Sequence, residues 1–502
     1  MLSAIVFLPV LAAIALILVP QRAPAAAFLW SWIAVSVIDL GLVVAAWVGY
    51  QPHGGYGWTE KVAWIPGAGV SYHVGVDGLS LPLLGLTAGM FLAVAIYSLR
   101  ETRRLKSYVC LFLFLQSVCL GVFVALDLIL FFVFFDLSIV GMFFVIAGWG
   151  HGERARGAAT KFFLYTFIGS LALLLGFIGL YLAASPHTFD MVTLIQTNPL
   201  AGHGVSGGFV LLAVAIGLAI KTPTVPFHTW LPPAHTEAPA AGSAILAGVL
   251  LKLGTYGFVR IAMPMLPEAW RRYAVVFVVV GVVSVLYGAL VALAQPNFKR
   301  MIAYTSVNHM GYILLAVGAA GILAGTDTQA RSLALTGAVT QMVSHGLLTG
   351  ALFLLSGVLY ERGHTYEMAA YSALAARAPV FAGVTAVAAF GSLGLPGFSG
   401  FIAEFQIFAG SLPSAPVATA AAILGILLTA ALFLRALQQL FLGPLRRPDK
   451  PGAVAAFPDL RTHELASIVP LLAVATVIGL APRFLLDLIE PAARTLAQLV
   501  AR

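Results

Sequence analysis

Apolar runs of about twenty residues follow one another along almost the whole chain, separated by short polar stretches. A run of that length crosses a bilayer as an α-helix, because a backbone in lipid must satisfy its own N–H and C=O groups. Charged residues make up 9% of the 502 and hydrophobic ones 61%, whereas soluble domains carry about 25% charge. A membrane β-barrel would read as strands of roughly 10 residues with alternating polarity, and no such segments stand out. The formal net charge of +8 does not argue for nucleic acid, because most lysines and arginines lie in short loops, where they act as topology signals. The expected fold is therefore an all-α polytopic membrane protein.

About fourteen spanning helices are expected, near residues 2–20, 26–49, 77–98, 108–126, 128–149, 158–184, 207–229, 239–263, 273–294, 301–323, 332–359, 378–411, 415–442 and 464–488. Prolines interrupt the seventh and twelfth. The longest polar stretches are 50–76 and 443–463. The first run lacks a basic leader and a clear cleavage site, so it reads as a retained helix and not a signal peptide. Helices four to eight and nine to thirteen look like two five-helix units, each with a broken fourth member. A unit with an odd number of spans places its second copy upside down, which is a recurring transporter architecture. The expected divisions are an N-terminal three-helix region at 1–107, a first repeat at 108–263, an inverted second repeat at 264–442, and a C-terminal helix and tail at 443–502.

Orientation follows from the basic residues. Loops after odd-numbered helices hold sixteen, among them Arg103, Arg154, Lys299, Arg446, Arg447 and Lys450. The other side, with both tails, holds eight: Lys61, Arg260, Arg271, Arg272, Arg331, Arg483, Arg494 and Arg502. The positive-inside rule then puts the first side in the cytoplasm and both termini outside. The pair Arg271–Arg272 runs against that rule. Cys110 and Cys119 fit neither a CxxC nor a zinc spacing and read as small buried hydrophobes. No iron–sulfur, haem or dinucleotide motif is present, so electron transfer within this chain is not expected.

A charged side chain at the bilayer centre costs roughly 2.5–3.5 kcal/mol on insertion scales, so such residues usually face a protein interior or a wet cavity. Asp136, Lys221, Lys252, His309, His345 and Glu404 all fall inside the apolar runs, and together they read as a route for protons or small cations. Lys221 begins the stretch KTPTVPFHTWLPPAHTEAP. Pro223 and Pro226 remove two backbone donors there, which leaves the carbonyls of Ala219 and Thr222 without their helical partners. The alternative for Lys221 is a side chain snorkelling to a helix end. Lys252 lies well inside the eighth helix, where Gly242, Ala247, Gly248 and Gly254 allow close packing. Asp136 follows eight apolar residues and needs a partner or a proton; the expected partner is Lys221. The alternative is a permanently protonated acid bonded to a neighbouring helix. Asp127, at a helix start, reads as a cap.

His309 and His345 are flanked by Ser and Thr, and histidine's ordinary pKa suits a relay; each reads equally as a packing element. No second ligand lies at helical spacing, so metal binding is not expected. Glu404 follows the break GSLGLPGFSGFIAEF, in which Pro396 and four glycines interrupt the helix; a structural ion pair is its alternative. His228, His235 and Glu237 surround the seventh-helix break, either as a proton mouth or as residues that order the loop. Arg435 reads as a snorkelling side chain near its helix end.

Four stretches, FFVFFDLSIVGMFF, AIKTPTVPFHTWLPPAHTEAPAAGSAILAGVLLKLGTYG, FKRMIAYTSVNHMGY and GLPGFSGFIAEF, resemble the antiporter-like membrane subunits of respiratory complex I, NADH:quinone oxidoreductase. The likeness runs over nearly the whole chain and is nearest to the subunit M branch. It implies a proton-translocating subunit of a bacterial inner membrane. Lys221 then matches the family's seventh-helix lysine, Lys252 the eighth-helix relay lysine, Glu404 the twelfth-helix exit acid, and His309 and His345 the histidines of helices ten and eleven. Asp136 stands where the family typically has glutamate, one methylene longer, so a bridging water or a shifted helix would be needed to reach Lys221. The resemblance implies no cofactor in this chain, with NADH, FMN, iron–sulfur clusters and quinone held elsewhere in the complex. It implies as partners the antiporter-like neighbours L and N, the lateral helix of L, and membrane lipid. The competing reading is the similar D chain of a multisubunit sodium/proton antiporter. A third is a structural subunit whose polar residues are vestigial.

Overall fold

The computed structural model describes residues 1–51, 55–444 and 457–501. Arg446, Arg447, Lys450 and Arg502, used above for orientation, lie outside the described residues.

Two helices open the chain, α1 (Leu2–Leu18) and α2 (Ala25–Val48). The polar stretch that follows is not a plain loop. It folds as an antiparallel hairpin of β1 (Gly57–Ile65) and β2 (Val70–Val76), turned at Gly69 with φ 65°. Only glycine takes that backbone conformation readily. The sequence TEKVAW and SYHVGV alternates too weakly to announce strands, so the hairpin was not expected. It is pinned by its neighbours: the N-terminal ammonium of Met1 reaches Glu60 Oε1 at 2.7 Å, and the Leu126 N–H donates to His73 O at 2.8 Å.

Helices α3 (Leu81–Tyr97), α4 (Leu105–Val124), α5 (Leu128–Trp149) and α6 (Ala155–Ala183) follow, then a short α7 (Met191–Thr197). Asp127 caps α5 as its position suggests, accepting from the N–H groups of Ile129 and Leu130. Its second oxygen accepts from the Ser71 N–H of the hairpin. The expected seventh helix is divided into α8 (Gly204–Lys221) and α9 (Leu231–Glu237). The eighth, α10 (Ala240–Met265), contains two π-helical turns, at Leu246–Leu250 and Phe258–Ala262. Next come α11 (Pro267–Leu293), α12 (Phe298–Ala319) and the long α13 (Thr328–Gly363). The twelfth is broken into α14 (Pro379–Ser392) and α15 (Ser399–Ser411), followed by α16 (Pro416–Phe441) and α17 (Thr462–Leu480).

Eleven helices among the described residues are long and apolar enough to cross a membrane by length and composition. The other three segments of the expected fourteen are helical but differ in kind. Leu2–Leu18 and Pro379–Ser392 are shorter apolar helices, and α12 carries Lys299, Arg300, Asn308 and His309 along its length.

The C-terminal end corrects the sequence reading. The helix expected to run to residue 488 stops at Leu480, and a separate α18 (Arg483–Ala501) follows. Its buried Leu485, Leu488, Ile489, Ala492, Ala493, Leu496, Ala497 and Val500 recur at three- and four-residue spacing, which makes one apolar face. Gly78 packs against the Leu488 carbonyl, where a Cβ would not fit. Helices α10 and α13 are the most enclosed, with every residue of their apolar windows buried. They carry Lys252 and His345.

Candidate proton-relay site

The seventh-helix break begins where α8 ends on Lys221. One of the two carbonyls freed by the prolines, that of Ala219, finds a substitute, and its neighbour Ile220 also takes a donor from across the break. Ala219 O accepts from the Thr224 N–H at 3.2 Å, and Ile220 O accepts from Trp230 Nε1 at 2.9 Å. Ala219 thus loses its helical donor at Pro223, and the chain replaces it by closing a wider turn beyond the helix end. Across the break, the Val225 N–H donates to Ser284 Oγ at 3.0 Å.

Lys221 is buried, and its ammonium donates to Ser138 Oγ on α5 at 3.0 Å. It also lies 4.8 Å from the centre of the Phe135 ring. Asp136, the expected partner, is not in contact with it: among the described residues Asp136 forms no ion pair within 4.0 Å, and its Oδ1 is buried without a hydrogen-bond partner. The reason is helical geometry. Residues 135 and 138 share one face of α5, while 136 and 138 point apart.

Lys252 sits between the two π turns of α10. In the first turn the Leu251 N–H reaches back to Leu246 O. The Ala247 carbonyl thereby loses its ordinary α-helical donor, and the Lys252 ammonium donates to it. The same ammonium meets His345 Nδ1 of α13 at 2.6 Å. An ammonium has only donors, so His345 accepts here through Nδ1. Its Nε2 is buried and unpartnered. The His345 and His309 rings stand 5.4 Å apart, centre to centre, in an edge-on arrangement. His309 Nε2 in turn meets the Ser392 carbonyl at 3.1 Å. Ser392 is the last residue of α14, so the histidine pair ends at the second helix break.

On the far side of that break, Ser399 Oγ of α15 meets Ser344 Oγ at 2.8 Å. Glu404 is buried one turn further on, and its Oε2 packs against Gly394. Gly394 has φ 80°, and a Cβ there would collide with the carboxylate. Glu404 makes no ion pair among the described residues.

The structure thus joins Lys252, His345 and His309 and leads them to the Glu404 break. Lys221 and Asp136 lie apart from that row. Thr222, next to Lys221, has a buried and unpartnered hydroxyl; Gly254, two residues from Lys252, leaves it room, since a Cβ there would come within 2.5 Å of Thr222 Oγ1. His235 is buried with both ring nitrogens unpartnered, stacked 4.3 Å from Phe353. His228 lies edge-on to Tyr287 at 5.0 Å. Glu237 accepts the His151 N–H through its backbone carbonyl and packs its carboxylate on Gly152. Arg435 bonds the Leu293 carbonyl at 2.8 Å. Cys119 is buried and Cys110 half-buried, both as free thiols. Among the described residues no group of three metal-ligating side chains occurs.

Three arrangements were missed in the sequence. Lys299, read as a loop charge, is fully buried; its ammonium donates to Ala238 O and, at 3.3 Å, to Tyr366 Oη. The available signal was Asn297, which caps α12 and so places Lys299 inside the helix. Arg260, also counted as a loop charge, is buried in the second π turn and pairs with Asp77 at 2.5 Å, flanked by Tyr256 and Tyr56. In α2, Asp39 is buried against Gln116 Nε2 at 2.6 Å. Both members of each pair are separated by many residues, so no local pattern announced them.

Comparisons with known proteins bear on this geometry. A model of the NADH:quinone oxidoreductase/Mrp antiporter transmembrane family matches residues 125–429. A relative from Rickettsia bellii, NADH-quinone oxidoreductase subunit M, is 40% identical over 434 residues, 86% of this chain and 84% of that one. The subunit M of Rhodobacter capsulatus is 38% identical over 99% of this chain and 96% of its own. Among solved structures, a chain of respiratory complex I from Thermus thermophilus with bound NADH superposes with a TM-score of 0.87 at 29% identity, covering 100% of both. A chain of the Mrp complex from Dietzia reaches the same TM-score of 0.87 at 24% identity, which speaks for the shared fold alone.

Proposed function

From the premise that the chain belongs to the NADH:quinone oxidoreductase/Mrp antiporter transmembrane family, we propose that it is the proton-translocating subunit M of a bacterial complex I. The observation that carries the reading is the contact between Lys252 Nζ and His345 Nδ1, 2.6 Å apart and fully enclosed in the bundle. A buried ammonium held by a single titratable base has somewhere to put its proton. His345 passes it toward His309, and the second helix break brings it to Glu404. Lys221, with Asp136 on α5, is the second charge site of the same subunit. His228, His235 and Glu237 form its mouth at the first break.

Unpartnered buried atoms mark the row: His345 Nε2, His309 Nδ1 and Ser392 Oγ. Polar atoms at membrane depth are satisfied by protein or by water, so this row suits bridging waters. Moving a proton against 100 mV requires about 2.3 kcal/mol, which must come from redox chemistry outside this chain. NADH, FMN, iron–sulfur clusters and quinone belong to other subunits in this reading. Subunits L and N and the lateral helix of L are the neighbours. The segments 108–263 and 264–442 act as two inverted units, each with one broken helix, and both termini face the periplasm.

The test is proton-to-electron stoichiometry of the whole complex in vesicles. Lys252→Met is expected to lower it, and an undiminished ratio overturns the reading. The antiporter alternative predicts sodium-dependent proton flux without NADH.

A further inference from the structure

An apolar groove of about 380 Å³ runs between α8 and α11 on the outer surface of the bundle. Its walls are Gly208, Phe209 and Leu212 on one helix and Tyr273, Val276 and Phe277 on the other. A smaller cavity of about 120 Å³, bordered by His203, Glu268 and Arg272, adjoins it at Gly204. Arg272 lines both spaces. The groove extends from Gly204 to Ala215 along α8, about 16 Å at the helical rise. That is close to half of a hydrocarbon core about 30 Å thick, the depth of one leaflet.

The charges at the mouth are unevenly engaged. Glu268 Oε2 accepts the Gly202 N–H at 2.9 Å. Arg271 is committed elsewhere, donating to the Val500 carbonyl of α18 at 2.7 Å. Arg272 forms no ion pair among the described residues; its guanidinium lies 5.9 Å from the centre of the Tyr273 ring and its Nη1 packs beside Gly204. The groove exists because position 208 is glycine, since a Cβ would come within 3.1 Å of Tyr273 Oη. This arginine pair is also the one that runs against the positive-inside pattern. Docking of α18 accounts for Arg271. Arg272 is left without an ion pair among the described residues, at the end of an apolar trough whose length matches one leaflet.

We propose that the groove between α8 and α11 holds an anionic phospholipid, one acyl chain along Gly208 and the phosphate at Arg272. The Arg272 guanidinium matches a phosphate in forked geometry, and Tyr273 suits the interface between headgroups and chains.

The test uses the assembled complex in vesicles of phosphatidylethanolamine with a minor share of phosphatidylglycerol, followed by detergent extraction and analysis of the lipid retained. The wild type is expected to retain phosphatidylglycerol beyond its share, and Arg272→Gln to lose about fivefold of that preference, the weight of one interfacial positive charge. Arg272→Lys should keep most of it. Gly208→Leu should release both lipids while NADH:quinone turnover persists, and added inorganic phosphate should displace neither. Equal retention by wild type and Arg272→Gln overturns the proposal, as does equal retention of the zwitterionic lipid. A cross-link from a probe at Phe209 to another subunit overturns it too, by making the groove a protein interface.

Discussion

Lys221 and Lys252 are both buried lysines beside an irregular turn, yet their surroundings differ in kind. Lys252 donates to a histidine that can take its proton and to a carbonyl offset by a π turn. Lys221 donates to a serine hydroxyl and rests on a phenyl ring. A hydroxyl and an aromatic face stabilise a cation but do not accept its proton at neutral pH. The first arrangement offers the proton an acceptor, and the second offers none. On the proposed function, Lys252 is the conducting site and Lys221 the charge-holding one.

The largest expected effect is at the conducting site. Lys252→Met should slow proton translocation by on the order of 10²-fold. Lys252→Arg should be nearly as damaging, because a guanidinium keeps the charge but does not release its proton. Proton uptake measured with dyes in vesicles checks both, and an active Lys252→Arg variant would remove the distinction between the two lysines. His345→Ala should come next, at about tenfold, with NADH oxidation uncoupled from pumping preserved; equal pumping would mean that the 2.6 Å contact is only structural.

At Lys221 the comparison sharpens differently. Ser138→Ala leaves a buried ammonium donor unpaired, which costs about 1–3 kcal/mol, read as a lower melting temperature of the complex. Asp136→Glu should not restore a direct pair, since an added methylene does not change the helix face; an ion pair in the structure of that variant would refute the assignment of Asp136 and Lys221 to separate faces. Asp136→Asn should alter the pumping rate without the loss of stability seen for Ser138→Ala.

The smallest effect concerns the hairpin. Burial pushes the Asp190 carboxyl up, but hydrogen bonds from His73, Lys61 and Thr193 outweigh it and hold the group well below the usual carboxylate range. A depressed carboxyl stabilises the folded state above its unfolded pKa of about 3.9, and that contribution fades only as the pH falls through the depressed value. Hydrogen exchange across residues 57–76 should therefore show no loss of Asp190-dependent protection between about pH 5 and 8. Asp190→Asn should raise exchange there at every pH in that range.

Much of the architecture was legible because spanning helices announce themselves through length and hydropathy alone. Asp127 as a cap, the two proline breaks, and the six ionisable residues in apolar runs needed no tertiary information. The hairpin was missed because short, half-polar strands carry no comparable signal. Helix α18 was folded into its predecessor because its apolar stripe is too thin to read as a span. Lys299 and Arg260 were mistaken for loop charges because hydropathy cannot tell a charge at a helix end that faces water from one that turns into the bundle.

The amino-acid order alone determined that this chain lives in a bilayer, that its helices break beside Lys221 and before Glu404, and which side chains must find shelter from lipid. Those follow from local cost: a charge or a proline in hydrocarbon is unfavourable wherever its neighbours lie in space. Only the packed bundle decided which shelter each one found. It aimed Lys252 at His345, turned Asp136 away from Lys221 by the pitch of one helix, and left Arg272 without an ion pair among the described residues at the edge of a groove. Contacts a few ångströms long between helices dozens of residues apart depend on rotation about each helix axis, and that rotation is set by the whole bundle at once.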